Sequence, residues 1–511
     1  MNKNSRVANS IKNVGVGTFL QLFALILSFI TRSIFVKLLG IEYLSVDGLF
    51  SNILTLLNFT ELGIGSAIIF SLYKPIAEQD YTKIGALMNL FRTAYRYIAI
   101  TILSIGILII PLLDIIITDV PEVKESITLL YSFFLINTVC SYVYGYKKSL
   151  LIADQKNYIV LTIYQCIHTI QILSQILILY FTHNYILFLS VMIVCTLLNN
   201  IITTLYVNQR YGWLDLKINE KLESEDKKTI FSNVKAIIFY KLGSVVLNGT
   251  NNLVISTVIK TTLVGFCANY TLIINALSTV LNQGMSGLMA SIGNYNVKAN
   301  SIENECIFKQ LDFMLFWVMS FISVALCCFV NEFILLWLGS AYILDSIFVW
   351  VLTLSFYVLM INAIPSSFRM AMGLFQKAKF YPMIAALINL VLSVLFARWI
   401  GLIGVFIANI LARLVCYTIV DTNLIYRYGF KMSCITYYIK YIGRLLFIFV
   451  AYVFFAKILM LIELSGWMGL FAKITLFTAL YNSLFVLLFW KNESFLLVRR
   501  RILAVVKNND I

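Results

Sequence analysis

The chain has 511 residues, of which 60% are hydrophobic and only 12% charged, with a net charge of +15 from 39 basic and 24 acidic side chains. Its mean hydropathy is +0.89. Soluble proteins are about a quarter charged, so this composition excludes a soluble enzyme, and no long stretch is polar enough to be a soluble domain on a single anchor. The basic surplus needs no nucleic-acid partner, because basic residues collect in the cytoplasmic loops of membrane proteins. Cys140, Cys166, Cys195 and Cys416 lie in apolar runs and no Cys-x-x-Cys pair occurs, so the nine cysteines read as buried thiols. His168 and His183 are too few and too isolated for a metal site.

Lys3, Arg6 and Lys12 precede an apolar run from about Val14 to Val36 that is too long for a signal-peptide core and has no cleavage site after it. It reads as a retained first span. Further apolar runs centre near residues 57, 102, 138, 170, 196, 245, 276, 319, 356, 390, 413, 449 and 478. The expectation is an all-α polytopic membrane protein of about 14 transmembrane helices.

Charge sets the expected topology. Alternate gaps between spans hold Lys74 and Lys83, then Lys147, Lys148 and Lys156, then Arg210, Lys217, Lys221, Lys227 and Lys228. Later ones hold Lys298 and Lys309, Lys377 and Lys379, and Arg427 and Lys431. The intervening gaps are short, and Asp114, Asp119, Glu122 and Glu125 make one of them acidic. The positive-inside rule then places both termini in the cytoplasm. The longest polar connection, 211–228, is the expected linker between an N-lobe of helices 1–6 (1–210) and a C-lobe of helices 7–12 (229–430). Helices 13–14 follow over 431–490, and then a basic tail, 491–511, suited to anionic headgroups.

A shift of about 220 residues brings the polar positions of the two lobes into register, as a direct repeat would. Gln21, Ser28, Thr31 and Arg32 of the first span match Lys241, Asn248, Asn251 and Asn252 of the seventh; Thr55 and Asn58 match Asn275 and Ser278. In the seventh span Lys241, Ser244, Asn248, Asn251 and Asn252 recur at intervals of three and four, on one helix face. Polar groups facing lipid are costly, so this face meets protein or water. Interhelical hydrogen bonding is one use for it; a water-filled cavity between the lobes is the other, and the ammonium favours the cavity.

Other intramembrane charges are candidates on the same ground. Arg32 lies late in the first span, and Asp47 and Glu61 lie on the second, Glu61 opening Glu-Leu-Gly-Ile-Gly. Arg369 follows Pro365 in a polar stretch where the helix is expected to break, and Arg413 lies mid-span in the twelfth helix. Arg92 and Arg96 read as snorkelling to headgroups. The candidate substrate residues are the cations Lys241, Arg32, Arg369 and Arg413 and the polar face Ser244, Asn248, Asn251, Asn252 and Asn275. Glu61 and Asp47 are candidates for H+ or Na+ coupling. A net cationic interior suits an anionic substrate such as a phosphate or diphosphate. No Walker sequence, Asp-x-Asp pair or catalytic triad stands out, so neither enzyme activity nor a bound cofactor is expected.

The strip Leu39-Gly40-Ile41-Glu42-Tyr43-Leu44, Gly48-Leu49-Phe50-Ser51-Asn52-Ile53-Leu54, Glu61-Leu62-Gly63-Ile64-Gly65-Ser66-Ala67-Ile68 and Ser71-Leu72-Tyr73-Lys74-Pro75-Ile76-Ala77 resembles a family signature. It is similar to the second-span region of bacterial polysaccharide flippases, the Wzx-like O-antigen and capsule transporters of the MOP (multidrug/oligosaccharidyl-lipid/polysaccharide) superfamily. Ser45 stands where such sequences carry glycine.

The resemblance implies two six-helix bundles in a V with two extra C-terminal helices, in the bacterial plasma membrane. It implies a flippase that turns undecaprenyl-diphosphate-linked oligosaccharide to the outer leaflet by alternating access, for lipopolysaccharide, capsule or exopolysaccharide assembly. Implied partners are the polyprenyl-diphosphate-linked oligosaccharide, membrane lipids, a polysaccharide polymerase and other assembly proteins. A MATE-like drug/cation antiporter of the same superfamily is the alternative, and a membrane polysaccharide polymerase or ligase a more distant one.

Overall fold

Backbone amides find no water inside a bilayer, so a spanning chain satisfies them along its own helices. The computed structural model describes residues 3–57, 64–117, 122–154, 156–213, 243, 246–247, 249–296, 301–372, 374–497 and 499; among them every regular element is helical. Eleven of the described helices are long and apolar enough to cross a membrane, and the pair Ile127–Tyr142 and Gly145–Ala153, bent by 45°, makes a twelfth. The chain is an all-α polytopic membrane protein. The expected second and seventh spans run across 58–63 and 214–242, outside the described residues.

The chain packs as two compact units, Met1–Ala268 and Asn269–Ile511. The division falls beyond the 211–228 linker read from charge. Ser256 Oγ donates to the Ile116 carbonyl at 2.9 Å and Ser45 Oγ to the Thr262 carbonyl at 3.1 Å. The stretch that opens the expected C-lobe is therefore hydrogen-bonded into the first unit.

Unit 1 is built from α1 (Lys3–Leu39), α2 (Ile41–Leu57), α3 (Ile64–Glu78), α4 (Tyr81–Ile109), α5 (Ile127–Tyr142), α6 (Lys148–Ala153), α7 (Asn157–Thr182) and α8 (Tyr185–Arg210). Short polar side chains start the helices: Asp80 accepts from Lys83 N, Ser126 from Leu129 N and Asn184 from Leu187 N. Gly40, at φ +89°, turns the chain between α1 and α2 in a conformation that favours glycine. The α7 helix shows how the membrane sorts residues. Ile170, Leu173, Leu177 and Tyr180 are 54–67% exposed on one stripe, while Gln165 and Gln175 are buried on another. Apolar groups cost nothing against lipid, and amides need partners, so Gln175 turns inward and donates to the Phe188 carbonyl at 3.0 Å.

The two ends of unit 1 differ in charge. At one, Tyr211 Oη donates to Asp154 Oδ2 at 2.6 Å, Lys156 pairs with the same oxygen, Lys147 donates to Asn208, and the Tyr81 and Trp213 rings meet at 4.3 Å. Burial and the Asp154 carboxylate push the Tyr211 phenol above its ordinary range. At the other, Tyr43 Oη donates to Glu125 Oε2 at 2.6 Å and accepts from Lys124 N.

Unit 2 contains α9 from Asn269 onward (the helix spans Thr262–Asn296), α10 (Ser301–Leu338), α11 (Ser346–Ile361), α12 (Ala363–Ala371), α13 (Tyr381–Ile400), α14 (Leu402–Arg413), α15 (Ile435–Met460) and α16 (Gly466–Phe489). The last helix docks on α10. Tyr481 Oη donates to Ser320 Oγ at 2.7 Å, Trp317 Nε1 to Asn482 Oδ1 at 3.0 Å, and Lys473 pairs with Glu332 at 2.8 Å. Phe477, Tyr481 and Phe485 fill the seam against Phe321, Phe329, Phe316 and Trp317.

The interruption between α11 and α12 falls at Asn362, three residues before Pro365. Proline has no N–H to give the carbonyl four residues back, and its ring crowds that turn. After α14 the same span continues through two π-helical stretches, Leu414–Ile419 and Ile425–Phe430, with Val420–Leu424 between them.

Candidate functional site

Four of the sequence candidates, Lys241, Ser244, Asn248 and Glu61, lie outside the described residues. The remaining ones divide between the two units. In unit 1, Arg32 on α1 lies within electrostatic range of Asp47 on α2. Tyr185 Oη makes a long hydrogen bond, 3.5 Å, to Asp47 Oδ1, and its ring meets Tyr43 at 5.0 Å. The candidate cation and the candidate coupling carboxylate of the first two spans are thus neighbours. Asn251 and Asn252 are half-buried on the turn before a π-helical stretch, Ile255–Ile259. In unit 2, Asn275 is exposed on α9.

The two buried arginines of unit 2 are held differently. Arg369 is 1% exposed, and its Nε lies 2.7 Å from Asp421 Oδ1. Asn362, freed at the helix interruption, donates Nδ2 to Asp421 Oδ2 at 3.0 Å. Both oxygens of one carboxylate are therefore engaged, one by each flank of the broken helix. Arg413 is 8% exposed and donates Nε to Asn409 Oδ1 at 2.7 Å; Ser355 Oγ donates to the same oxygen at 3.2 Å. Arg369, a candidate cavity cation by sequence, is buried and matched by a carboxylate; a guanidinium sealed from water is tolerable only when its charge is met.

Asp421 escaped the sequence reading. Its signal was a single carboxylate inside the twelfth apolar run, in Ile-Val-Asp-Thr-Asn. Its position between two π-helical stretches is a place where a helix re-aims its side chains, and such wide turns are frequent at functional sites.

A second constellation was also missed. Arg444 Nη2 on α15 lies 2.6 Å from Asp312 Oδ2 on α10, with the guanidinium 4.9 Å from the Phe316 ring centre. The pair borders a cavity of about 500 Å³ that Lys309, Lys440, Phe308 and Tyr437 also line. Among the described residues no cluster of three His, Cys, Asp or Glu side chains is placed to hold a metal ion.

No family model and no curated protein matches the chain. Solved structures do. An inward-facing multidrug resistance MATE family transporter of the MOP superfamily superposes with a TM-score of 0.61 at 15% identity, over 80% of this chain and 96% of that one. The lipid II flippase MurJ in an inward closed conformation gives 0.60 at 16% identity, over 92% and 98%. An outward-facing MATE family transporter gives 0.53 at 14%, over 83% and 93%. At these identities the likeness shows the fold alone, the polytopic helical fold of these three structures.

Proposed function

We propose that this protein is a flippase that carries undecaprenyl-diphosphate-linked oligosaccharide from the cytoplasmic to the outer leaflet of a bacterial plasma membrane by alternating access, for surface polysaccharide assembly. The observation that carries the reading is the charge balance inside the spans. Arg32, Lys241, Arg369 and Arg413 stand against Asp47, Glu61 and Asp421. Burying a charge in a spanning helix is costly enough that it serves a purpose. A surplus of cations serves an anionic headgroup, whereas a cation exporter calls for the reverse.

The parts fall into place by chemistry. A diphosphate carries the charge that guanidinium and ammonium groups bind with charge-assisted hydrogen bonds. Engaging Arg369 would mean displacing Asp421, so Lys241, Arg32 and Arg413 are assigned to the diphosphate and Arg369 to bracing the broken helix. The amides and hydroxyls of Ser244, Asn248, Asn251, Asn252 and Asn275 are assigned to the sugars. The polyprenyl chain needs no site among them, because it can remain in the bilayer. Asp47, beside Arg32, and Glu61 are the groups proposed to couple transport to an H+ or Na+ gradient.

The test is leaflet exchange in liposomes. A fluorescent undecaprenyl-diphosphate oligosaccharide is quenched by an impermeant reductant as it changes leaflet. The reading predicts accelerated exchange that Arg413→Ala and Lys241→Ala each reduce. Dye efflux driven by a cation gradient, without glycan-lipid exchange, would make the protein a drug exporter instead.

A further inference from the structure

A cavity of about 420 Å³ lies in unit 1, where the middle of α4 meets the turn of the bent α5–α6 pair. Its volume is in the range of small-ligand sites. Three cations line it, Arg92, Arg96 and Lys147, together with the aromatic rings of Tyr95, Tyr144 and Tyr146; no carboxylate does, among the described residues. Like charges repel, yet Arg92 lies within electrostatic range of Lys147, and both arginines within range of Tyr146. Snorkelling explains a single arginine at a membrane border. It does not explain Lys147, which is 7% exposed, turned into the protein and fixed by its hydrogen bond to Asn208.

The backbone adds a second observation. Tyr144 sits at φ +60°, ψ 0°, a left-handed conformation that a residue with a ring adopts at a cost. That residue makes the 45° bend between the two helices and sets Tyr144 and Lys147 on the same cavity. A strained turn and three converging cations are expensive unless something negative completes them.

We infer that this cavity is a binding site for a phosphate-bearing anion, separate from the intramembrane residues assigned above. Arg92 and Arg96 supply planar donors to phosphate oxygens and Lys147 a fixed positive charge at the back. The anion can come from the headgroup of an acidic phospholipid or from free diphosphate; the chemistry is shared. The inference stands whatever the protein transports.

Phenylglyoxal labelling of the full-length protein in lipid nanodiscs tests it. Labelling rates at Arg92, Arg96 and, as a reference, Arg427 are read by peptide mass spectrometry. The probes are inorganic diphosphate in phosphatidylcholine discs and phosphatidylglycerol built into separate discs. The site predicts that at least one probe slows labelling of Arg92 and Arg96 while Arg427 is unchanged. Protection by diphosphate assigns a soluble anion, and protection by phosphatidylglycerol alone assigns a lipid headgroup. Arg96→Gln should weaken binding of the protecting anion about tenfold, the loss of one charge-assisted hydrogen bond. Unchanged labelling of both arginines with either probe overturns the inference.

Discussion

Arg369 and Asp421 form a buried ion pair, Nε to Oδ1 at 2.7 Å, with neither side chain more than 3% exposed. The pair joins α12 to the π-interrupted twelfth span, and Asn362 ties the same carboxylate to the end of α11. Removing one partner leaves an unmatched buried charge, at a cost of about 3–5 kcal/mol. Asp421→Ala should therefore lower the melting temperature of the detergent-purified protein markedly. Arg369→Met combined with Asp421→Leu should recover much of it, because no charge is then left unmatched. Equal losses in the single and double variants would mean that the pair contributes little.

Ser45 and Gly265 make a second checkable contact. Ser45, at the position where the resembled family carries glycine, is fully buried and hydrogen-bonds to the carbonyls of Ile41 and Thr262. The missing side chain is on the other partner: a Cβ at Gly265 would overlap Ser45 Oγ and come 3.0 Å from the Ile41 carbonyl oxygen. Gly265→Ala is expected to destabilise by about 1–3 kcal/mol, as overpacking does. Ser45→Gly in the same chain should restore part of that, since only the clash with the hydroxyl is relieved. Thermal unfolding of the two variants measures both.

Tyr211 gives a pH dependence outside the membrane. Its folded phenol is held above the ordinary range by burial and by Asp154. The stabilisation is fully present below the unfolded value of about 10 and is lost as the pH rises above it. Stability of the parent protein should thus fall more steeply above that pH than stability of Tyr211→Phe, and the two curves should run parallel near neutrality. Parallel curves throughout the alkaline range would contradict the assignment.

Much of this fold was legible in the sequence because the bilayer imposes a simple rule. Runs of apolar residues mark the spans, and polar residues inside them mark the interior. The basic loops containing Lys147, Lys156 and Arg210 were assigned to one side by charge; contacts among Lys147, Asn208, Asp154 and Tyr211 gather them at one end of unit 1. Pro365 announced an interrupted helix, although the interruption sits at Asn362. Pairing was not legible. Arg369 and Asp421, or Asp312 and Arg444, meet through tertiary packing, and nothing in their spacing relates them. The left-handed Tyr144 was equally hidden, because that conformation has no side-chain signature outside glycine and asparagine.

Coupling can be tested separately from substrate. Collapsing the H+ and Na+ gradients should slow leaflet exchange in the parent protein, and Asp47→Asn should make the rate indifferent to the collapse. A parent rate that ignores both gradients would remove Asp47 and Glu61 from the mechanism and leave the cation assignment standing.

The most direct measurement is the leaflet exchange of fluorescent undecaprenyl-diphosphate oligosaccharide in liposomes, comparing the parent protein with Arg413→Ala at matched reconstitution. Exchange well above empty liposomes is expected, with a loss of about tenfold or more in the variant, because a charge-assisted contact to the diphosphate is removed. Exchange at the parent rate in Arg413→Ala and Lys241→Ala alike would contradict the cationic site. Absence of exchange in the parent protein across a panel of glycans would contradict the flippase itself.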